Sequence, residues 1–311
     1  MTIMPAAVRA LRAVRLRRWT VALALILGTV GVVQVSETSD AVKSDPTVCA
    51  EPRPLPAGTS IRTLEHAGEQ RSYLLHVPPT YDGTTRMPVV FLFHGFGGTP
   101  EKVMKTTGMA NLADQRGFVV VAPLARGAVT QWDFRSPGSV ESSDASFTQD
   151  LSSAVSAQGC VDPDGVFAAG FSNGSAMVLA LACDPDSQFT AYGAVSGPYM
   201  APNCSQAKPA SIAYFHGLLD DVVPYTGAET AIGPLPPVDD TVAEWVAHDE
   251  CPALGATTTA IGVLRHFAWR DCAGGSAISV YVVEDAGHRW PGVRVDASTL
   301  MWEFFQRAGG S

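Results

Sequence analysis

The chain has 311 residues, of which 46% are hydrophobic and 16% are charged, and its net charge is −9. A chain of this length and hydrophobicity buries a core large enough for one α/β domain. Without residues 1–41, 16 basic and 28 acidic residues remain, a net charge of −12. This acidity, without any basic stripe, argues against nucleic acid and anionic membrane surfaces as partners.

The first 41 residues are predicted to lie outside that domain. A basic run from Arg9 to Arg18 precedes the uncharged segment 20–35, an order typical of an export signal. Sixteen uncharged residues are short for a membrane span, but no clear cleavage site follows. Residues 1–41 are therefore interpreted as an export signal or an N-terminal anchor, which predicts a secreted, extracellular protein or a membrane-anchored one. Residues 42–60, rich in Pro and Ala, are predicted to be a linker, and residues 61–311 the folded domain.

Short apolar runs alternate with helical patterns along this domain. Strands are predicted in 71–79, 87–95, 117–125, 166–170, 191–197, 210–220 and 277–288, and helices in 101–117, 147–157, 174–183, 239–248 and 298–307. Continuous apolar runs are typical of strands that are buried on both faces. The alternation predicts an α/β fold built on a mostly parallel sheet flanked by helices.

The segment GFSNG, residues 170–174, lies where a predicted strand becomes a predicted helix. This G-x-S-x-G pattern is typical of a nucleophile elbow, a tight turn that exposes a serine hydroxyl above the edge of the sheet. A serine becomes a good nucleophile only beside a base, which in turn needs an orienting acid. The alternative interpretation of these residues is a glycine-rich turn without chemistry.

Two later strand ends provide candidates for the acid and the base. Asp220 and Asp221 follow one predicted strand, and His288 follows another. Because the carboxyl ends of parallel strands meet at one edge of a sheet, these side chains are expected near Ser172. The residues alone do not choose between Asp220 and Asp221.

An earlier strand ends in the segment HGFGG, residues 94–98. In proteins with a nucleophile elbow, the loop after an early strand supplies one N–H that binds the oxyanion. The residue after the nucleophile supplies the other. The backbone N–H groups of Phe96 and Asn173 are therefore predicted to form an oxyanion hole. A glycine-rich turn is the alternative interpretation here too.

Five segments resemble those of secreted polyhydroxybutyrate-depolymerase-like esterases, which are similar to feruloyl and acetylxylan esterases: RSYLLHVPPTYDG, FHGFGG, GFSNGSAM, FHGLLDDVVPY and DAGHRWPG. The resemblance implies an α/β-hydrolase fold, with residues 61–311 as the catalytic domain. It implies Ser172 as the nucleophile, His288 as the base and Asp220 rather than Asp221 as the acid.

The same resemblance places Trp132 on the substrate side. Tyr225 and Trp290 are further candidates for substrate contact, with a role in the core or at the rim as the alternative. The remaining histidines, among them His216 at the end of a predicted strand, are interpreted as structural or exposed.

These features predict a serine esterase that hydrolyses carboxylic esters of the polyhydroxyalkanoate, feruloyl or acetyl-polysaccharide type. We expect it to act as a monomer and without a cofactor, and the Cys and His spacing fits no metal site. An acyltransferase on the same fold, and a non-catalytic envelope or carbohydrate-binding protein, are the alternatives. The intact order Ser172, Asp220, His288 argues against the non-catalytic one.

Six cysteines all follow residue 41, and an even number in an exported chain predicts three disulfides. From the positions of the cysteines relative to the predicted elements, we expect the pairs Cys160–Cys183, Cys251–Cys272 and Cys49–Cys204. None of them falls in a catalytic motif, so their expected role is structural.

Overall fold

A computed structural model describes residues 47–134, 144–199, 204–230, 233–252 and 256–310. The predicted export signal or anchor, residues 1–41, lies outside the described residues. No helix within these ranges has the length and apolarity needed to cross a membrane.

The described chain forms twelve strands and six α-helices. The strands are β1 Gly58–His66, β2 Glu69–Val77, β3 Met87–Phe93, β4 Val119–Pro123, β5 Val161–Phe171, β6 Ala191–Val195, β7 Ser211–Gly217, β8 Ala228–Thr230, β9 Gly233–Leu235, β10 Thr257–Ile261, β11 Leu264–Trp269 and β12 Ile278–Val283. The helices are α1 Pro100–Thr107, α2 Met109–Arg116, α3 Asp144–Gln158, α4 Asn173–Ala182, α5 Val238–His248 and α6 Ala297–Ala308.

Ten of these strands form one sheet in the order β1-β2-β4-β3-β5-β6-β7-β12-β11-β10, while β8 and β9 pair separately. The six central strands, from β4 to β12, are parallel to one another, and the two strands at each edge are antiparallel. This confirms the predicted mostly parallel sheet. The carboxyl ends of β3, β5, β7 and β12 consequently meet at the same edge.

Helices cover both faces of the sheet because the central strands are apolar on both sides. In β3, Phe91 and Phe93 pack into one core with residues of α3, α4 and α5. Val90 and Leu92, which alternate with them, pack into a second core with residues of α1, α2 and α6. This alternation is the period-2 geometry of a strand buried on both faces.

The structure corrects the predicted helix 101–117, which is two helices. Gly108 ends α1 and precedes α2 with φ 65°, a left-handed conformation that glycine adopts without a steric penalty. The edge strands β1, β10 and β11 were not predicted. Their residues are mostly exposed or half-buried, and these strands lack the continuous apolar runs that identify the central strands.

Residues 47–60, part of the predicted linker, are instead tied to the domain. Val48 forms a bridge with Thr85, and the Arg53 guanidinium donates to the carbonyls of Ser156 and Ala157 at the end of α3. Strand β1 begins at Gly58. The folded domain therefore starts before residue 61.

All six cysteines form disulfides, in the pairs Cys49–Cys160, Cys183–Cys204 and Cys251–Cys272. The third pair confirms the prediction. The predicted pairs Cys160–Cys183 and Cys49–Cys204 are wrong.

The reason for this error is lateral position. Cys160 precedes β5, next to the start of β3, where Met87 N–H donates to the Cys160 carbonyl. Cys183 lies at the end of α4, which leads towards β6, and Cys204 lies in the connection from β6 to β7. Cys160 and Cys183 thus lie at the same end of the sheet but next to different strands. Sequence order alone does not reveal this lateral separation.

We expect the Cys49–Cys160 bond to contribute the most stability of the three. It joins residues separated by 111 positions, whereas Cys251–Cys272 joins residues separated by 21. In the chain-entropy model the loss is about 4–5 kcal/mol for the Cys49→Ala/Cys160→Ala double variant. The matched Cys251→Ala/Cys272→Ala variant should lose about 3 kcal/mol. Urea unfolding measures both, and the opposite ranking would contradict the assignment of stability to the long loop.

Candidate active site

Ser172 occupies a sharp turn between β5, which ends at Phe171, and α4, which begins at Asn173. Its φ of 54° and ψ of −118° lie outside the helical and extended regions, a conformation that costs on the order of 1–3 kcal/mol. The turn brings backbone against backbone. A Cβ on Gly170 would overlap the Gly174 carbonyl, and a Cβ on Gly174 would overlap the Phe93 carbonyl. Neither glycine has a left-handed φ. The close approach of the backbone, and not its conformation, therefore requires glycine at both positions.

Ser172, His288 and Asp220 form a continuous chain of hydrogen bonds. His288 Nδ1 lies 2.8 Å from Asp220 Oδ2, and His288 Nε2 lies 2.9 Å from Ser172 Oγ. A carboxylate only accepts hydrogen bonds, so the Nδ1–H donates to Asp220. In the neutral imidazole Nε2 is then unprotonated and accepts the Ser172 hydroxyl proton. This is the tautomer that a general base requires.

The acid loop, residues 218–223, distinguishes the two neighbouring aspartates. Asp220 is buried, and its Oδ1 accepts hydrogen bonds from the N–H groups of Val222 and Val223, at 3.0 and 2.8 Å. Asp221 is exposed. The structure therefore brings Asp220 to His288, whereas the bare sequence left both residues open.

The loop that follows β3 lies beside the elbow. An ideal Cβ on Gly95 would lie 3.3 Å from Ser172 Cβ. Within the described chain, no backbone hydrogen bond is donated by Phe96 N–H or Asn173 N–H. These are the two donors predicted for the oxyanion hole.

His94 holds the loop after β3 in place through two hydrogen bonds. Its Nε2 accepts a hydrogen bond from Ala125 N–H at 3.1 Å, so the other ring nitrogen carries the proton and donates to the Gly95 carbonyl at 2.7 Å. Burial lowers the pKa of His94 and favours this neutral form. On the other side, Thr130 Oγ1–H donates to the Gly98 carbonyl at 2.6 Å.

Trp132 does not line an open substrate surface, which corrects the expectation from the resemblance. Its side chain is 0% exposed, and its Nε1–H donates to the His94 carbonyl at 2.8 Å. Its backbone N–H donates to Asn173 Oδ1, and Asn173 Nδ2–H donates back to the Trp132 carbonyl. The residue folds beneath the loop after β3 and couples that loop to the elbow.

Trp290 is buried, with its Nε1–H donating to Ser298 Oγ at 2.9 Å. It nevertheless lines a crevice of about 180 Å³, together with Phe96 and Phe171. Phe171 also packs against the His288 ring, with the centroids 4.9 Å apart. Phe171, which precedes Ser172 and contacts His288, connects this crevice to the site, although Ser172 and His288 are not among the residues that line it.

Tyr225 lies elsewhere. Its hydroxyl donates to Asp239 Oδ1, and its ring lines a groove of about 860 Å³ between α5 and the strands β11 and β12. Ser172, His288 and Asp220 are not among the residues that line this groove. The structure does not bring Tyr225 to the crevice that Phe171 lines.

Sequence patterns did not identify a set of exposed apolar side chains on three loops at this edge of the sheet, which we call the apolar collar. It consists of residues on the loop after β3, the loop after β4 and the acid loop: Phe96, Val129, Leu218, Leu219 and Val222, exposed by 63, 56, 38, 64 and 59%. The Leu219 N–H donates to the Ala286 carbonyl at 2.9 Å, which joins the acid loop to the loop of His288. Leu218 also lines the groove of Tyr225. Clusters of large exposed apolar groups are typical of interaction sites.

Comparison with known proteins finds esterases, both by sequence and by structure. The profile of the family described as Esterase PHB depolymerase matches residues 71–231. Feruloyl esterase C of Emericella nidulans is 26% identical over 253 residues, covering 76% of this chain and 84% of that protein.

Among solved structures, the acetyl xylan esterase from Aspergillus awamori superposes with a TM-score of 0.61 at 17% identity, covering 79% of this chain and 98% of that one. LpqC, a poly(3-hydroxybutyrate) depolymerase from Bordetella parapertussis, superposes with a TM-score of 0.51 at 15% identity, covering 81% and 90%. These likenesses establish the α/β-hydrolase fold.

The packing of the elbow predicts that Gly174→Ala displaces Ser172. The new methyl group would meet the carbonyls of Phe93 and His94, and backbone cannot move aside as a flexible side chain can. We expect a loss of about 1–3 kcal/mol or more in the free energy of unfolding and loss of Ser172 labelling by a fluorophosphonate. Gly292→Ala is the matched control, since its Cβ would meet nothing within 4 Å. Equal labelling of the two variants would contradict this packing argument.

Proposed function

The chain belongs to the Esterase PHB depolymerase family, and we propose that it hydrolyses carboxylic esters with Ser172 as nucleophile, His288 as general base and Asp220 as the orienting acid. It is a serine carboxylic ester hydrolase of the polyhydroxybutyrate depolymerase and feruloyl esterase type. The observation that carries the residue assignment is the unbroken chain of hydrogen bonds from Ser172 Oγ to the Asp220 carboxylate.

In the proposed reaction, Ser172 Oγ attacks the ester carbonyl while its proton passes to His288 Nε2. Asp220 Oδ2, hydrogen-bonded to Nδ1–H, stabilises the imidazolium that forms. The Phe96 and Asn173 N–H groups stabilise the tetrahedral oxyanion. His288 then protonates the departing alcohol, and a water molecule, deprotonated by the same imidazole, releases the acid from Ser172.

The shape of the site supports substrates with an apolar part. The crevice of about 180 Å³ that Phe171 lines includes the apolar residues Phe96, Val103 and Trp290, which would contact an apolar part of the substrate. The apolar collar would contact what extends beyond the crevice. The proposed substrates are esters of the polyhydroxyalkanoate, acetyl-polysaccharide or feruloyl type. Among the candidate contacts, Trp290 lines this crevice.

We propose that residues 1–41 direct export, as a cleaved signal or as an anchor, and that the domain from residue 47 onward acts outside the cytoplasm. Three disulfides support this, because stable disulfides are typical of oxidising compartments.

We expect Ser172→Ala and Asp220→Asn to abolish hydrolysis of p-nitrophenyl butyrate, each with a loss on the order of 10⁴-fold in kcat. Serine carries the bond to the acyl group, and asparagine in place of Asp220 favours the wrong tautomer of His288. Asp221→Asn is the matched control, since Asp221 is exposed, and it should retain near-original rates.

Purified, folded variants are compared by initial rates and by fluorophosphonate labelling. Retained hydrolysis in Ser172→Ala, or a larger loss in Asp221→Asn than in Asp220→Asn, would overturn the assignment. A protein that neither hydrolyses esters nor labels at Ser172 would instead support the non-catalytic alternative. Addition of an alcohol acceptor, with product analysis, separates hydrolysis from acyl transfer.

The collar predicts that Leu219→Ser weakens the reaction with apolar esters. We expect kcat/KM to fall roughly 3- to 10-fold for p-nitrophenyl hexanoate and less for p-nitrophenyl acetate, because the longer chain loses more apolar contact. Ile261→Ser, an exposed apolar residue on β10, is the matched control. An equal effect on both esters, or the same effect in the control variant, would contradict a role for the collar in binding.

A further inference from the structure

A second buried histidine lies behind the acid of the site. His216, near the end of β7, is 0% exposed. Its Nε2 lies 2.8 Å from the Val223 carbonyl oxygen and 3.5 Å from Asp220 Oδ2. The proposed catalytic reaction does not use this side chain.

The neighbours of His216 determine its tautomer. A carbonyl oxygen only accepts hydrogen bonds, so Nε2 must carry the proton that is donated to Val223. Nδ1 is then an acceptor, and the Tyr214 hydroxyl, 2.9 Å away, donates to it. The Tyr214 side chain is itself buried, and the backbone of Gly197 lies beside its hydroxyl.

Val223 takes part in two hydrogen bonds that hold the acid loop in place. Val223 receives a hydrogen bond from His216 at its carbonyl, and its N–H donates to Asp220 Oδ1 at 2.8 Å. His216 therefore attaches to β7 the same peptide segment that orients the Asp220 carboxylate. The other oxygen of that carboxylate, Oδ2, faces His288 at 2.8 Å and His216 at 3.5 Å.

The titratable groups that face His216 are Tyr214 on its own strand, Asp220 and Tyr225 from the loop after β7, and His288 from the loop after β12. Burial lowers the pKa of His216 and favours its neutral form. A neutral donor orients the acid loop without forming a full ion pair with Asp220. A protonated His216 would compete with His288 for that carboxylate.

We propose that His216, with its tautomer set by Tyr214, is a positioning residue that holds the acid loop so that Asp220 Oδ2 stays directed at His288. The proposal rests on the proposed roles of Ser172, His288 and Asp220. Its specific requirement is the Nε2–H donor, not the volume of the ring.

The test compares His216→Met with His216→Gln, two side chains of similar length of which only glutamine has an N–H donor. We expect His216→Met to lower kcat roughly 10- to 100-fold, the scale of a small misplacement of a catalytic group, with KM changed less than about twofold. The acid limb of kcat/KM against pH, which reports His288 in the free enzyme, should move to lower pH. A loosely held Asp220 stabilises the imidazolium less. His216→Gln should recover most of kcat and return the limb towards its original position.

The controls are His76→Leu, a buried hydrogen-bonded histidine on β2, and Tyr192→Phe, a buried hydrogen-bonded tyrosine on β6. Neither should move the acid limb. Equal losses in His216→Met and His216→Gln, or an unchanged acid limb in His216→Met, would overturn the proposal.

If neither His216 variant folds, Tyr214→Phe decides, since it removes one hydroxyl. It should lower kcat several-fold with the same direction of shift, and original values would overturn the proposal. Wild-type protein that lacks esterase activity and Ser172 labelling would instead refute the proposed function itself, which separates the two failures.

Discussion

The position of Ser172 depends on backbone contacts that leave no space for side chains. Gly170 lies against the Gly174 carbonyl, Gly174 against the Phe93 carbonyl, and Gly197 against the Ser172 carbonyl. These contacts join the ends of β3, β5 and β6 to the start of α4. The unfavourable backbone conformation of Ser172 persists because the close packing of these four elements fixes the backbone of the turn.

The same strand ends bring distant residues together. Ser172 and His288 are separated by 116 positions, and Asp220 and His288 by 68, yet both pairs lie within hydrogen-bond distance. Each hydrogen bond in this arrangement has one direction, because carboxylates and carbonyls only accept. His94, His216 and His288 are therefore each held in one tautomer. Oriented polar groups of this kind stabilise developing charge without rearranging during the reaction.

The central sheet and the order of the candidate residues were predictable from the sequence because they follow from local patterns. Continuous apolar runs identify buried parallel strands, and parallel strands place their carboxyl ends together. This reasoning brought Ser172, His288 and an aspartate to one edge, and Asp220 followed from the resemblance. The break at Gly108 was not predicted, since glycine within a helical pattern is compatible with either one helix or two.

Features that depend on lateral packing were not predictable in this way. Two of the three predicted disulfide pairs were wrong. Cys160 and Cys183 lie at the same end of the sheet, but Cys160 is next to β3 and Cys183 is next to the connection from β6 to β7. Trp132 was assigned to the substrate side, while its indole N–H satisfies a buried carbonyl instead. The sequence placed His216 at a strand end near the acid loop, but it did not predict the hydrogen bond from His216 to the Val223 carbonyl.

A crystal structure of the protein after reaction with an alkylphosphonate ester would test the central claim most directly, because the phosphonyl group mimics the tetrahedral intermediate. The account predicts a covalent bond from phosphorus to Ser172 Oγ. It also predicts a phosphonyl oxygen about 2.7–3.1 Å from both Phe96 N and Asn173 N, with the chain of hydrogen bonds through His288 to Asp220 intact. Modification of another residue, or a phosphonyl oxygen directed away from both N–H groups, would contradict it.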